Sequence, residues 1–152
     1  MTVTFTRRQS LCIGLGAAAA IGTGGALTPA AAANEAAELI AEFTGGKTPN
    51  ASRVKLDLPE IAENGNTVPM TVSVESPMTA ESHVTEVLVV ADGNPRAGVV
   101  TFHFSPASGI AEANTRVRLA TTQNITAVAK MNDGSVFAAT KQVKVTIGGC
   151  GG

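Results

Sequence analysis

Residues 125–135 read I-T-A-V-A-K-M-N-D-G-S, and this stretch decides the fold. Ile125, Ala127, Ala129 and Met131 place an apolar side chain at every second position, the period of a strand with one face buried. Asp133-Gly134 then supplies the residues that a tight hairpin demands. Beyond it Val143, Val145 and Ile147 resume the alternation. Upstream, Thr115, Val117 and Leu119 alternate with Arg116 and Arg118, and Val68, Met70, Val72 and Val74 alternate with Thr71, Ser73 and Glu75. Val84 to Val90 and Val99 to Phe104 are more continuous, as strands buried on both faces would be. Turn residues separate these runs at Asn64-Gly65, at Asp92-Gly93-Asn94-Pro95, and at Pro106 with Gly109. About seven short strands in roughly 100 residues predict an all-β, immunoglobulin-like antiparallel sandwich. With no Trp anywhere, its core must rest on Val, Ile, Leu, Met and Phe.

The period differs ahead of these strands. Asn34 to Phe43 predicts one short amphipathic helix: Leu39, Ile40 and Phe43 share a face, acids occupy the first turns, and Gly45-Gly46 ends it. Before that, Thr6-Arg7-Arg8-Gln9-Ser10-Leu11 opens an apolar run, Cys12 to Leu27, and Pro29 with Ala30 to Ala33 follows. A positive start, an apolar middle and an A-x-A end predict a secretory signal peptide over 1–33. The run is too short and too rich in Gly and Ala to favour a membrane span. The paired arginines match a twin-arginine export signal, although Ser10 stands where that signal usually has Phe. Cleavage after Ala33 removes two arginines and no acid, so the mature chain is more acidic than the formal −1 of the whole.

Several functions are excluded by what the chain lacks. There is no basic stripe or nucleic-acid-binding motif, which argues against nucleic acid as a partner. The absence of Trp and Tyr argues against sites that stack sugars or bases on rings. His83 and His103 are the only histidines, too few for the three or four convergent ligands of a metal centre. Glu60, Glu63, Glu75, Glu81 and Glu86 form no pair at a catalytic spacing, and no serine has a nucleophile-elbow context. No cofactor or metal is expected of this chain.

Gly148-Gly149-Cys150-Gly151-Gly152 closes the sequence. Once the signal peptide and Cys12 are removed, Cys150 is an unpaired cysteine in an exported protein. It is therefore a free thiol or half of an intermolecular disulfide. The glycines around it allow almost any backbone conformation. An ordinary thiol with a pKa of ~8.5 is only a few per cent thiolate at neutral pH, and nothing nearby in sequence lowers it. Any activating group would belong to a partner. Those are the properties of a carrier arm over 148–152, following a sandwich with its helix over 34–147. An assembly module joined through the terminal cysteine, and a free-standing thiol transferase, are the competing readings.

The tail V-T-I-G-G-C-G-G resembles that of the SoxY family, sulfur-carrying subunits of periplasmic thiosulfate-oxidising systems. The likeness continues through L-D-L-P-E-I-A-E-N-G-N-T-V-P at Leu56–Pro69, S-P-M at Ser76–Met78 and F-H-F-S-P-A-S-G at Phe102–Gly109. It includes R-V-R-L-A at Arg116–Ala120 and A-V-A-K-M-N-D-G-S at Ala127–Ser135. The resemblance implies an immunoglobulin-like sandwich paired with a SoxZ-like subunit. It implies covalent attachment of sulfur intermediates at Cys150, with Gly148, Gly149, Gly151 and Gly152 giving the arm its freedom. The implied partners are a c-type cytochrome that loads thiosulfate, a thiol hydrolase that releases sulfate, and a sulfane dehydrogenase. The chain itself would be a carrier and not an enzyme.

Overall fold

Alternating apolar residues become a sandwich because each strand buries one row of side chains against a second sheet. In the computed structural model the described residues are 29–149. Nearly all of the expected signal peptide lies outside them, as do Cys150, Gly151 and Gly152. One helix, α1 (Pro29–Thr44), precedes eight strands: β1 (Val54–Asp57), β2 (Ile61–Asn64), β3 (Val68–Val74), β4 (Val84–Ala91), β5 (Gly98–His103), β6 (Ala111–Val117), β7 (Gln123–Met131) and β8 (Val136–Ile147). The strands form a three-stranded sheet in the order β1-β3-β6 and a five-stranded sheet in the order β2-β8-β7-β4-β5.

The predicted alternation is realised where it was strongest. Val68, Met70, Val72 and Val74 of β3 face Val87, Val89, Ile125, Ala127 and Ala129 of the larger sheet in one apolar core. The hairpin at Asp133-Gly134 joins β7 to β8, with Gly134 at φ 78° and the Met131 N–H donating to the Ser135 carbonyl at 2.9 Å. The Ser135 hydroxyl, and then its N–H, hold the Asp133 carboxyl below its ordinary pKa.

Four features differ from the expectation. The helix starts at Pro29, five residues early, because an alanine run propagates helix well and proline suits the first helical position. The acids Glu35 and Glu38 consequently sit beyond the first turn, which carries none. Strands β1 and β2, each of four residues, are too short to display a period. The sandwich is not wholly antiparallel, since β2 runs parallel to β8 with Asn64 opposite Ile147. Finally, β4 is buried on both faces but β5 is not. Leu88 and Val90 of β4 point away from the main core and are covered by Ala36, Leu39, Ile40 and Phe43 of α1. Strand β5 is an edge strand of its sheet, so its apolar residues are only partly covered. The helix itself ends as expected: Gly45 at φ 63° lets the Gly46 N–H reach the Ala41 carbonyl at 2.9 Å and the Gly45 N–H reach that of Glu42 at 3.2 Å. Both bonds satisfy last-turn carbonyls.

No helix among the described residues is long and apolar enough to cross a membrane. The core predicts its own sensitivity. Ile125 is 1% exposed in the middle of the larger sheet and Ile110 is 66% exposed. Ile125→Ala should cost about 2–5 kcal/mol in denaturant unfolding, whereas Ile110→Ala should change stability by less than about 0.5 kcal/mol.

Candidate functional site at the root of the C-terminal arm

Strand β8 delivers the tail to one end of the sandwich. Its neighbour β7 begins only at Gln123, opposite Val143, and beyond that pair the Val145 N–H is taken up by the Thr122 hydroxyl at 3.0 Å. The Ile147 carbonyl accepts from the Gly65 N–H at 2.8 Å, and the Gly65 carbonyl accepts from the Leu119 N–H at 2.8 Å. The Leu119 carbonyl in turn accepts from the Gly149 N–H at 2.9 Å. Three segments distant in sequence therefore meet through one relay of main-chain hydrogen bonds.

The other side of the Arg118–Ala120 segment is held by a side chain. Asn94 donates through Nδ2 to the Arg118 carbonyl at 2.8 Å, and its Oδ1 accepts from the Ala120 N–H at 2.9 Å. One amide side chain thus replaces a neighbouring strand. Gln123, 3% exposed, locks Asn94 in turn: its Nε2 donates to the same Oδ1 at 2.9 Å and to the Thr121 carbonyl at 3.1 Å. Its Oε1 accepts from the Gly93 N–H at 2.7 Å. Leu119, fully buried, plugs the end of the core beneath this lattice.

Glycine is required here for close approach. A Cβ on Gly65 would stand 2.2 Å from the Leu119 carbonyl oxygen and 2.7 Å from the Gly149 nitrogen. On Gly148 it would meet the Ala120 oxygen at 2.2 Å, and on Gly149 the Arg118 Cγ and the Gly65 oxygen, each at 2.8 Å. Gly149 is buried. Gly148 and Gly149, expected to lend the arm freedom, are thus packed against the sandwich in this structure. The remaining predicted site residues, Cys150, Gly151 and Gly152, lie outside the described residues. Sequence reading marked Asn64-Gly65 and Asp92-Gly93-Asn94-Pro95 only as turns. Their role at the arm root could not be read because the partners of Gly65 and Asn94 lie far along the chain.

Beside the root, a cleft of about 530 Å³ opens between β5 and β6, each an edge strand of its sheet. Arg96, Arg116 and Arg118 line it, and Val99, Val100 and Val117 supply apolar wall. The histidines lie elsewhere: His103 Nδ1 is 3.3 Å from Glu86 Oε1, and His83 Nδ1 is 3.0 Å from the Thr79 carbonyl. Among the described residues no three His, Cys, Asp or Glu side chains converge.

The family described as sulfur oxidation protein SoxY matches residues 40–150, from the apolar face of α1 through the arm root to the cysteine. The chain belongs to the SoxY family. Among solved structures it is similar to the sulfur carrier protein SoxY from Chlorobium limicola f thiosulfatophilum. The two are 30% identical with a TM-score of 0.63, over 75% of this chain and 94% of that one. The fold is shared with the superoxide reductase (neelaredoxin) of Ignicoccus hospitalis, at 19% identity, TM-score 0.55, 62% of this chain and 80% of that one. The superoxide reductase from Nanoarchaeum equitans matches at 11% identity, TM-score 0.53, 63% of this chain and 100% of that one. A comparison with curated proteins gives no match.

The root of this SoxY-family chain makes a direct prediction. In Gly65→Ala the added methyl would press hardest on two backbone atoms, the Leu119 oxygen and the Gly149 nitrogen, and next on Val145 Cγ1 at 3.0 Å, so overpacking should cost about 1–3 kcal/mol. Amide exchange at Leu119 and Gly149 should accelerate about five- to a hundredfold beyond any change at Val128. Equal acceleration at all three amides would mean the close approach does not hold the root.

Proposed function

We propose that this chain is a covalent carrier of sulfur intermediates in thiosulfate oxidation, with Cys150 as the attachment site. The family match that runs through residue 150 carries this reading, and the likeness to a sulfur carrier over 94% of that chain supports it. The arm root adds a physical reason: the tail leaves the sandwich from a fixed point, so cargo on the cysteine is presented from a defined place.

The thiol and the outer sulfur of thiosulfate join as a Cys–S–S–sulfonate. The thiol proton goes to solvent and two electrons go to the c-type cytochrome that loads the arm. A thiol hydrolase then adds water across the S–sulfonate bond, releasing sulfate and leaving a persulfide on Cys150. A sulfane dehydrogenase oxidises the sulfur that remains. This chain makes none of these bonds. It holds the intermediate by a covalent link, which prevents its loss by diffusion and keeps it at high effective concentration before each enzyme.

A SoxZ-like subunit is the proposed structural partner. Ile61, Ile110 and Ile147 are 59%, 66% and 66% exposed, and β5 leaves a free edge with partly covered valines and phenylalanines. Both suit coverage by a second subunit. The twin arginines at 7 and 8 serve export to the periplasm, by a route that passes folded cargo and so admits a preassembled pair.

The experiment is intact mass after incubation with thiosulfate and the loading cytochrome. Wild-type protein should gain a thiosulfate-derived adduct. Cys150→Ser should fold with unchanged unfolding midpoint and gain nothing. An adduct on the serine variant would overturn the assignment, and disulfide-linked dimers without adducts would favour an assembly module.

A further inference from the structure

Three places in the chain put Asn or Asp directly before glycine: Asn64-Gly65, Asp92-Gly93 and Asp133-Gly134. Such pairs share a side reaction. With no side chain to hinder it, the glycine nitrogen can attack the side-chain carbonyl carbon of the preceding residue and close a five-membered imide. The fold ties down both reacting groups in each pair. Asp92 accepts from the Asn124 N–H and Nδ2, both at 2.8 Å, and the Gly93 N–H donates to Gln123 Oε1 at 2.7 Å. Asp133 Oδ1 accepts from the Ser135 N–H at 2.8 Å and from its hydroxyl at 2.6 Å, while the Gly134 N–H donates to the Met131 carbonyl at 3.0 Å. An ionised carboxylate is in addition a poor electrophile, so the two Asp pairs are restrained twice over.

Asn64-Gly65 differs. Its amide is uncharged and can expel ammonia. Asn64 is exposed, and its side chain is restrained by Oδ1 accepting from the Asn66 N–H at 2.9 Å. The Gly65 nitrogen is held by a different partner, since its N–H donates to the Ile147 carbonyl at 2.8 Å. That bond belongs to the relay at the arm root, so closure of the root withholds the nucleophile. The turn does not require the amide. Gly65 has no positive φ, and aspartate, or more weakly a serine hydroxyl, would accept from the Asn66 N–H in the same way.

We propose that Asn64 is a self-modification site gated by the arm root: when the Ile147–Gly65 bond opens, Asn64 converts to aspartate and isoaspartate. The Gly65 N–H loses its proton to water as the nitrogen bonds to Asn64 Cγ. The Cγ–Nδ2 bond breaks, and Nδ2 leaves as ammonia after taking a proton from water. A second water opens the imide, leaving aspartate if it adds at the side-chain carbonyl and isoaspartate if it adds at the main-chain carbonyl. Nothing is oxidised or reduced. Isoaspartate lengthens the main chain by one methylene ahead of Gly65, where even a Cβ would stand 2.2 Å from the Leu119 oxygen. A root that reacts while open therefore does not reclose in its former register. The site records how often the root opens, whatever the chain carries.

The test incubates the full-length protein in mildly alkaline buffer. Conversion at residue 64 is followed by peptide mass, and isoaspartate by labelling with an isoaspartyl methyltransferase. Folded wild type should convert about tenfold or more slowly than the same chain unfolded in guanidinium. Asn94→Ala removes the side chain that holds the Arg118 carbonyl and the Ala120 N–H and leaves the Asn-Gly pair untouched. It should convert about five- to tenfold faster than wild type, in step with amide exchange at Gly65. Lys47→Gln, which removes a bond to the Gly134 carbonyl at the opposite end, should convert at the wild-type rate. Asn64→Ser is the blank. If exchange at Val128 shows Asn94→Ala to be unfolded, Thr122→Val takes its place, removing only the hydroxyl that accepts from the Val145 N–H. Wild type converting as fast as the unfolded chain overturns the proposal. So does a folded variant whose Gly65 amide exchanges faster while Asn64 converts at the wild-type rate, and so does a product containing aspartate alone, which would bypass the imide. The purified isoaspartate form should lose exchange protection at Leu119 and Gly149, whereas Asn64→Asp should keep it; equal protection in the two would overturn the effect on the root.

Discussion

Everything at the working end of this molecule depends on how closely three backbones can approach around Leu119. Its N–H is bonded to Gly65 and its carbonyl to Gly149, while Gly65 also binds Ile147. Each such bond contributes only about 0.5–1.5 kcal/mol net. The stronger constraint is steric. One Cβ on Gly65 would collide with both the Leu119 oxygen and the Gly149 nitrogen, so a single methyl presses on both partners of the bond that seats Gly149. On the far side Asn94 completes the pairing of the same segment. The turn after β2, the loop before β5, the end of β6 and the exit of β8 are therefore set relative to one another by one peptide and its neighbours.

A carrier needs a defined starting point and a low cost of leaving it. Gly149 is held by one main-chain hydrogen bond and by side-chain contact with Arg118. Releasing a bond of about 1 kcal/mol changes a population only several-fold. Gly148 and Gly149 serve both demands: the absence of a Cβ permits seating against Ala120 and Gly65, and it would equally reduce the bulk of a released tail. The reading of these glycines as a source of freedom and their observed close packing therefore describe two uses of the same missing atom.

The strands with the clearest alternation, β3 and β7, were legible because a two-residue period directly encodes one buried face. The helix was legible through Leu39, Ile40 and Phe43, which do cover Leu88 and Val90. What could not be read was anything decided by partners far along the chain. Val99 to Phe104 look like a strand buried on both faces, yet edge position leaves them half-covered, because composition does not state which strand ends a sheet. The parallel pairing of β2 with β8 joins residues some eighty positions apart along the chain, and no local pattern announces it. The motifs that carried the family resemblance prove more informative in space than in sequence: N-G at 64–65, R-L-A at 118–120 and G-G at 148–149 meet at the arm root.

Charge on a free edge also discourages strand addition, and that general purpose must be weighed for Arg116. The exposed row of β6 shows how far that purpose reaches. It begins with Glu112, whose Oε1 accepts from Asn114 Nδ2 at 3.3 Å, and continues through Arg116 to Arg118 just past the strand. Edge protection asks only for charge, and mixed signs serve it as well as one. Here the acid stands at the end remote from the arm, whereas the charged residues that line the cleft at the arm root are all arginines, Arg116 and Arg118 being joined there by Arg96 from a different loop. Edge protection therefore accounts for charge along β6 but does not ask for the single sign found at the arm root.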